Sequence, residues 1–166
     1  MLVAVPKESA EGERRVGLVP DTVGRLIKAG HAIRVQRGAG TSAGFLDDAY
    51  ANAGATLAER SGLFDGVELI VRVGRPSDAE LNEIAPNTAL VGLLAPLGDP
   101  RYVEALASHK LRALSMDTIP RITRAQSMDA LSSQSNIAGY KAVILAAEYL
   151  PKFFPMLTTA AGTIAP

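Results

Sequence analysis

Cysteine is absent from the chain. Disulfides and thiolate metal ligands are therefore excluded, and with only two histidines a zinc centre has too few donors. Tryptophan is also missing, and four tyrosines and four phenylalanines are the whole aromatic complement. With 48% of residues hydrophobic, the interior must be filled by Val, Ile, Leu and Ala, as in a sheet covered on both faces by helices. There is no excess charge of either sign. Lys+Arg and Asp+Glu both number 17, which gives no electrostatic reason to expect nucleic acid or an anionic bilayer as the main partner. No apolar run approaches the roughly 20 residues that span a bilayer, and the opening Met1–Val5 run is too short for a signal peptide. The expectation is a soluble, cytoplasmic chain.

What is present is a rhythm. Leu2 to Val5, Ile33 to Val35, Leu69 to Val73, Ala89 to Leu94 and Leu111 to Met116 are short, strongly apolar runs. Between them lie helical stretches: one from Pro20-Asp21 with Val23, Leu26 and Ile27 inward and Gly30 as its stop, then Asp47–Ala53, Asp78–Ile84 and Arg101–Ser108. Strand and helix in alternation predict an α/β fold, a doubly wound parallel sheet of about five strands in a three-layer, flavodoxin-like lobe. The last third breaks the rhythm with one long helix from Asp129 to Leu150, expected to cross away from the sheet, ended by Pro151. Ile137, Tyr140, Ile144 and Ala147 share one side of it, whereas Ala138, Gly139, Ala142 and Ala146 make another side small. The segment from Thr158 to Pro166 reads as a connector.

Gly38-Ala39-Gly40-Thr41-Ser42-Ala43 fits the G-x-G-x-x-G/A pattern that lets backbone amides approach a pyrophosphate at a helix N-terminus. A helix would have to start at Thr41, but Gly44 follows and Asp47 is the better N-cap. Glu59, the acid about 20 residues on, ends no convincing strand. A structural turn is the preferred reading.

Pro120 to Tyr140 is richer. It follows the Leu111–Met116 strand, taken as buried, and strand C-termini of open parallel sheets are where ligands collect. Arg121, Arg124, Gln126 and Asp129 supply donors and acceptors of both signs within nine residues, and Asp129 and Ser132 are three apart at a helix start. From the residues alone, a capping aspartate beside solvated arginines is the preferred explanation.

The stretch Pro-Arg-Ile-Thr-Arg-Ala-Gln-Ser-Met-Asp-Ala-Leu-Ser-Ser from Pro120, continued by Asn136-Ile137-Ala138-Gly139-Tyr140, resembles the signature loop and helix of proton-translocating NAD(P) transhydrogenase first domains. Further matches are Ala4-Val5-Pro6-Lys7-Glu8, Glu13-Arg14-Arg15-Val16, Gly38-Ala39-Gly40, Ala53-Gly54-Ala55 and Thr158 to Thr163. The resemblance implies that residues 1–166 are the N-terminal lobe of an NAD(H)-binding domain, whose dinucleotide fold would begin after Pro166. It implies hydride transfer between NAD(H) and NADP(H), coupled to proton translocation by a membrane partner. Arg121 and Asp129 would orient the carboxamide and pyrophosphate-side groups, Ser132 would assist, and Gln126 would reach the NADP(H) on a partner domain. The implied setting is a homodimer, cytoplasmic but peripheral to the inner membrane through its partner subunits. Alanine dehydrogenase shares this lobe, and Arg15 stands where that family holds a substrate carboxylate. However, Gly74-Arg75-Pro76 and Leu94-Ala95-Pro96 stand where it keeps its catalytic Lys and His. Without those groups, oxidative deamination loses its proton handling. A non-catalytic docking or dimerisation half-domain is the other alternative.

Overall fold

A computed structural model describes residues 1–166. Six parallel strands form the sheet: β1 (Leu2–Val5), β2 (Ala32–Gln36), β3 (Thr56–Ala58), β4 (Leu69–Val71), β5 (Ala89–Gly92) and β6 (Arg112–Ser115). Their order is β3-β2-β1-β4-β5-β6. The helices are α1 (Pro20–Lys28), α2 (Asp47–Asn52), α3 (Asp78–Leu81), α4 (Pro100–Ser108) and α5 (Ala130–Tyr149). A small antiparallel hairpin, β7 (Leu157–Thr159) and β8 (Gly162–Ile164), follows them.

The five expected strands pair in the flavodoxin-like order, and the sixth, β3, adds itself outside β2. That addition turns the sequence of strands into the 3-2-1-4-5-6 order of a dinucleotide fold. β3 escapes a periodicity search because it is three residues long and only half-buried. Two further expectations change. β6 is not buried: Arg112, Ala113 and Leu114 are exposed because it is the edge strand, and an apolar run alone does not distinguish edge from centre. The stretch taken as a connector contains the β7–β8 hairpin.

Period-two alternation sorts the core into two layers. Val3, Val5, Ile33 and Val35 point to one face, where Val23 of α1 and Tyr50 of α2 close over them. Ala4, Ile70 and Leu90 point to the other, against Leu81 of α3, Tyr102 and Leu106 of α4, and Leu63. Each fully buried Leu or Val of this kind contributes roughly 1.5–3 kcal/mol. Local chemistry starts and stops the helices. Pro20 sits in the first turn of α1, Asp21 pairs with Arg25 at 2.6 Å, and Gly30 turns the chain away with φ 89°. Ser77 and Glu80 form a capping box on α3.

α5 stands apart. Ala130, Leu131 and Gln134 are half-buried, and every residue from Ser135 to Leu150 is exposed. No helix is long and apolar enough to cross a membrane.

Candidate functional site

The chain leaves β1 toward β2 on one side and returns to β4 on the other, so the sheet's switch point lies between β1 and β4. In open α/β sheets the crevice outside that point is the place for ligands. A cleft of about 370 Å³ opens there, lined by Arg15, Gly17, Val73, Leu93, Met116 and Gln134 among others. Its walls are backbone held close. A Cβ on Gly17 would lie 2.5 Å from the Val71 carbonyl oxygen, so the loop after β1 is pressed against the end of β4.

Beneath the cleft is a buried ion network. Glu8 accepts hydrogen bonds from the Val73 and Gly74 amides at 2.6 and 3.2 Å and pairs with Arg72 at 3.2 Å. Arg72 also pairs with Glu80 at 3.2 Å, and the Arg72 and Glu8 side chains are 1% and 2% exposed. Burial pushes the Glu80 carboxyl up, but the Ser77 amide, Arg72 and the Ser9 hydroxyl outweigh it and hold the carboxyl below its ordinary value. The network staples the strand-end loops of β1 and β4 together. In the sequence, Lys7–Arg15 shows only as a charged loop, because the partners of Glu8 are 64 residues and more away.

The segment from Pro120 forms a short turn, Thr123–Met128, anchored by buried Ala125, and then enters α5. Asp129 caps that helix: its carboxylate accepts the Ser132 amide at 2.9 Å and the Ser132 hydroxyl at 2.6 Å. These bonds, with Arg121 nearby as a weaker influence, hold the Asp129 carboxyl below its ordinary value. Asp129 and Ser132 are thus joined at the start of α5, with Arg121 acting on Asp129 only through space, and Arg121, Arg124 and Gln126 are all exposed. Ala130 and Gln134, on the first two turns of α5, line the cleft itself.

The Gly38–Ala43 turn has the geometry of a structural element. A Cβ on Gly40 would sit 2.6 Å from the Tyr50 ring, and the Gly38 amide donates to Asp47 at 2.8 Å. Asp47 therefore ties the turn down and is the first residue of α2; Leu46, not Asp47, is the N-cap. Arg75 is similarly committed. It donates to the Leu94 and Ala95 carbonyls at 2.7 and 2.9 Å, pairs with Asp99 at 2.9 Å and lies over the Tyr102 ring. These bonds fasten the loop in which Ala95 adopts φ 46°. His31 and His109 lie before β2 and β6, at the opposite end of the sheet from the cleft.

The family model described as "Alanine dehydrogenase/PNT, N-terminal domain" matches residues 4–138. The chain belongs to that family. An NAD(P) transhydrogenase alpha-subunit protein of Rhodospirillum rubrum is 43% identical over 172 residues, taking in 100% of this chain and 45% of that protein. The crystal structure of transhydrogenase from Sinorhizobium meliloti matches with a TM-score of 0.93 at 37% identity, over 99% of this chain and 49% of that one. An alanine dehydrogenase of Methanococcus maripaludis is 33% identical over 92% of this chain and 40% of its own length. The chain spans less than half the length of these relatives, and it resembles the N-terminal part of transhydrogenase alpha subunits more strongly than it does alanine dehydrogenase.

Proposed function

We propose that residues 1–166 form the first lobe of an NAD(H)-binding domain in a transhydrogenase, and that this lobe orients the nicotinamide end of the nucleotide. The observation that carries the reading is the corner where Asp129 and Ser132 are joined, with Arg121 acting on Asp129 through space, beside the switch-point cleft. A carboxamide needs an acceptor for its NH2 and a donor for its carbonyl. Asp129, held ionised near neutral pH, is acceptor-only and suits the NH2; Ser132 spends its hydroxyl hydrogen on holding Asp129 in place, so Arg121 is the donor for the carbonyl. The N-terminus of α5 is already occupied by the Asp129 carboxylate, so the remaining N–H groups of Arg121 are proposed to serve the pyrophosphate side as well.

The nicotinamide ring, when bound, supplies the hydride chemistry. The protein's own contribution to direct transfer between two nucleotides is to hold two rings at reacting distance, which calls for no nucleophile and no general base. That demand agrees with a cleft end where Arg75 is spent on fastening a loop and Ala95 offers no side-chain base. Gln126, exposed on the turn before α5, is proposed to reach NADP(H) on a partner domain. Proton translocation by a membrane partner, a homodimeric assembly and a cytoplasmic position against the inner membrane complete the proposal. The lobe alone is expected to bind NADH weakly, because the amide-lined fingerprint that holds a pyrophosphate would lie outside residues 1–166.

The test is hydride transfer between NADH and an NADP+ analogue in the full-length protein supplied with its NADP(H)-binding partner domain. Arg121→Ala, Asp129→Asn and Gln126→Asn are expected to lower the rate by about a hundredfold, with smaller effects on NADH affinity. Arg124→Ala is the milder control. A near wild-type rate in Arg121→Ala with loss in Arg124→Ala would reverse the roles assigned in this loop.

A further inference from the structure

α5 has a narrow footing. The start of α5 contacts the turn Met116–Thr118, with Ala130 and Leu131 half-buried, and from Ser135 onward the helix touches nothing that buries it. Apolar contact at two positions resists separation but fixes direction poorly, because it is not directional. A polar contact between the helix and the β1–α1 loop supplies the direction: Arg15 Nη1 donates to Gln134 Oε1 at 3.0 Å, across 119 residues of chain.

Arg15 is itself held on three sides. Its backbone amide and its Nε donate to Glu13 Oε1 at 2.8 and 2.9 Å, and its Nη2 donates to Glu13 Oε2 at 2.6 Å. That is a fork of charge-assisted bonds, which sets the plane of the guanidinium before Gln134 meets it. The loop under it is immobilised in turn, since Gly17 lies against the β4 backbone with no room for a side chain. The positive charge of Arg15 is compensated by Glu13, whose carboxyl is pulled down to about 2, chiefly by the Arg15 side chain. A carboxylate-binding arginine would present an unpaired fork to the cleft; this one presents a single Nη1, already directed at α5.

We infer that Arg15 is a positioning residue: clamped by Glu13, it fixes Gln134 and thereby the first turns of α5, on which Asp129 and Ser132 are placed. The consequence for hydride transfer rests on the function proposed above; the mechanical link does not. A loosened helix start would let the carboxamide-orienting corner tilt, and a displacement of about an ångström at reacting atoms costs on the order of a hundredfold in rate.

The test uses the full-length protein, with its NADP(H)-binding partner domain present in the kinetic assays, carrying Arg15→Met, Gln134→Leu, the double variant or Gln134→Glu. Amide hydrogen exchange over residues 129–138 is the readout that does not depend on catalysis. Arg15→Met and Gln134→Leu are each expected to raise exchange there several-fold. The double variant should add little beyond either, since both remove one bond. Gln134→Glu, which keeps an acceptor for Arg15, should stay near wild type. In hydride transfer the two single variants should lower kcat about tenfold with the NADH KM little changed. Wild-type exchange in Arg15→Met and Gln134→Leu would overturn the inference, and so would raised exchange with unaltered kcat. A rise confined to the KM for a small 2-oxo acid would also overturn it, by making Arg15 a substrate ligand. If wild-type protein transfers no hydride between the nucleotides, the proposed function fails, and the exchange data still judge the link.

Discussion

Up to the end of α4 at Ser108 the chain buries what its periodicity says it should; from Pro120 onward only Ala125 is buried. The two regions are patterned differently: α1 and α4 gather their apolar residues on one face, whereas α5 carries them all round. In the first, strands and helices meet complementary faces, and Val3, Ile33, Tyr50 and Leu90 vanish from solvent. In the second, α5 forms over 20 residues with a good cap, yet Tyr140 and Tyr149 are 70% and 79% exposed. The difference separates two things that sequence patterning conflates. Helix formation is local, governed by caps and propensities, whereas burial needs a second surface at the right place.

The contrast is broken most severely by opening the ion network. Arg72→Met leaves Glu8 and Glu80 buried without their shared cation, and urea unfolding should show a loss of about 3–5 kcal/mol. A loss below about 1 kcal/mol would mean water reaches the carboxylates. Leu90→Ala, in the centre of the sheet, should cost about 2–4 kcal/mol by the same measurement. Acid sharpens the comparison differently. Glu13 has its folded-state pKa lowered from 4.5 to about 2, so its contribution is complete above 4.5 and is lost as pH falls toward 2. Glu80 is shifted in the same direction. Urea midpoints measured from pH 6 down to pH 3 should fall, and Glu13→Gln should flatten part of that slope; an unchanged slope would show that the pair with Arg15 does not form. Smallest of all is Tyr140→Ser, expected to stay within about 0.5 kcal/mol of wild type. A loss comparable to Leu90→Ala would mean that α5 is packed in solution.

Much of the first region is legible in the residues alone. β1 has the bounds its apolar run predicts, and α5 begins and ends within one residue of expectation. β3 is not legible, since Thr56–Ala58 is too short to display a period, and β6 misleads because an edge strand can be as apolar as a central one. The Asp129–Ser132 pair is readable from its spacing of three on a helix. Arg15 with Gln134 and Glu8 with Arg72 are not, because no local rule joins residues that only a completed sheet brings together. Residue type makes Asp47 the cap of α2, but the Gly38 amide, nine residues earlier, competes for the same carboxylate and wins.

α5 is also a lever. Twenty residues make a rod about 30 Å long, so a tilt of about 10° at its footing swings the far end by about 5 Å. The short arm holds Asp129 and Ser132, and the long arm ends at Tyr149, just before the apolar Phe153–Leu157 stretch and the hairpin. Small rotations near the cleft are therefore amplified at the hairpin. In the reverse direction, a displacement of several ångströms there reaches the carboxylate corner reduced to a fraction of its size.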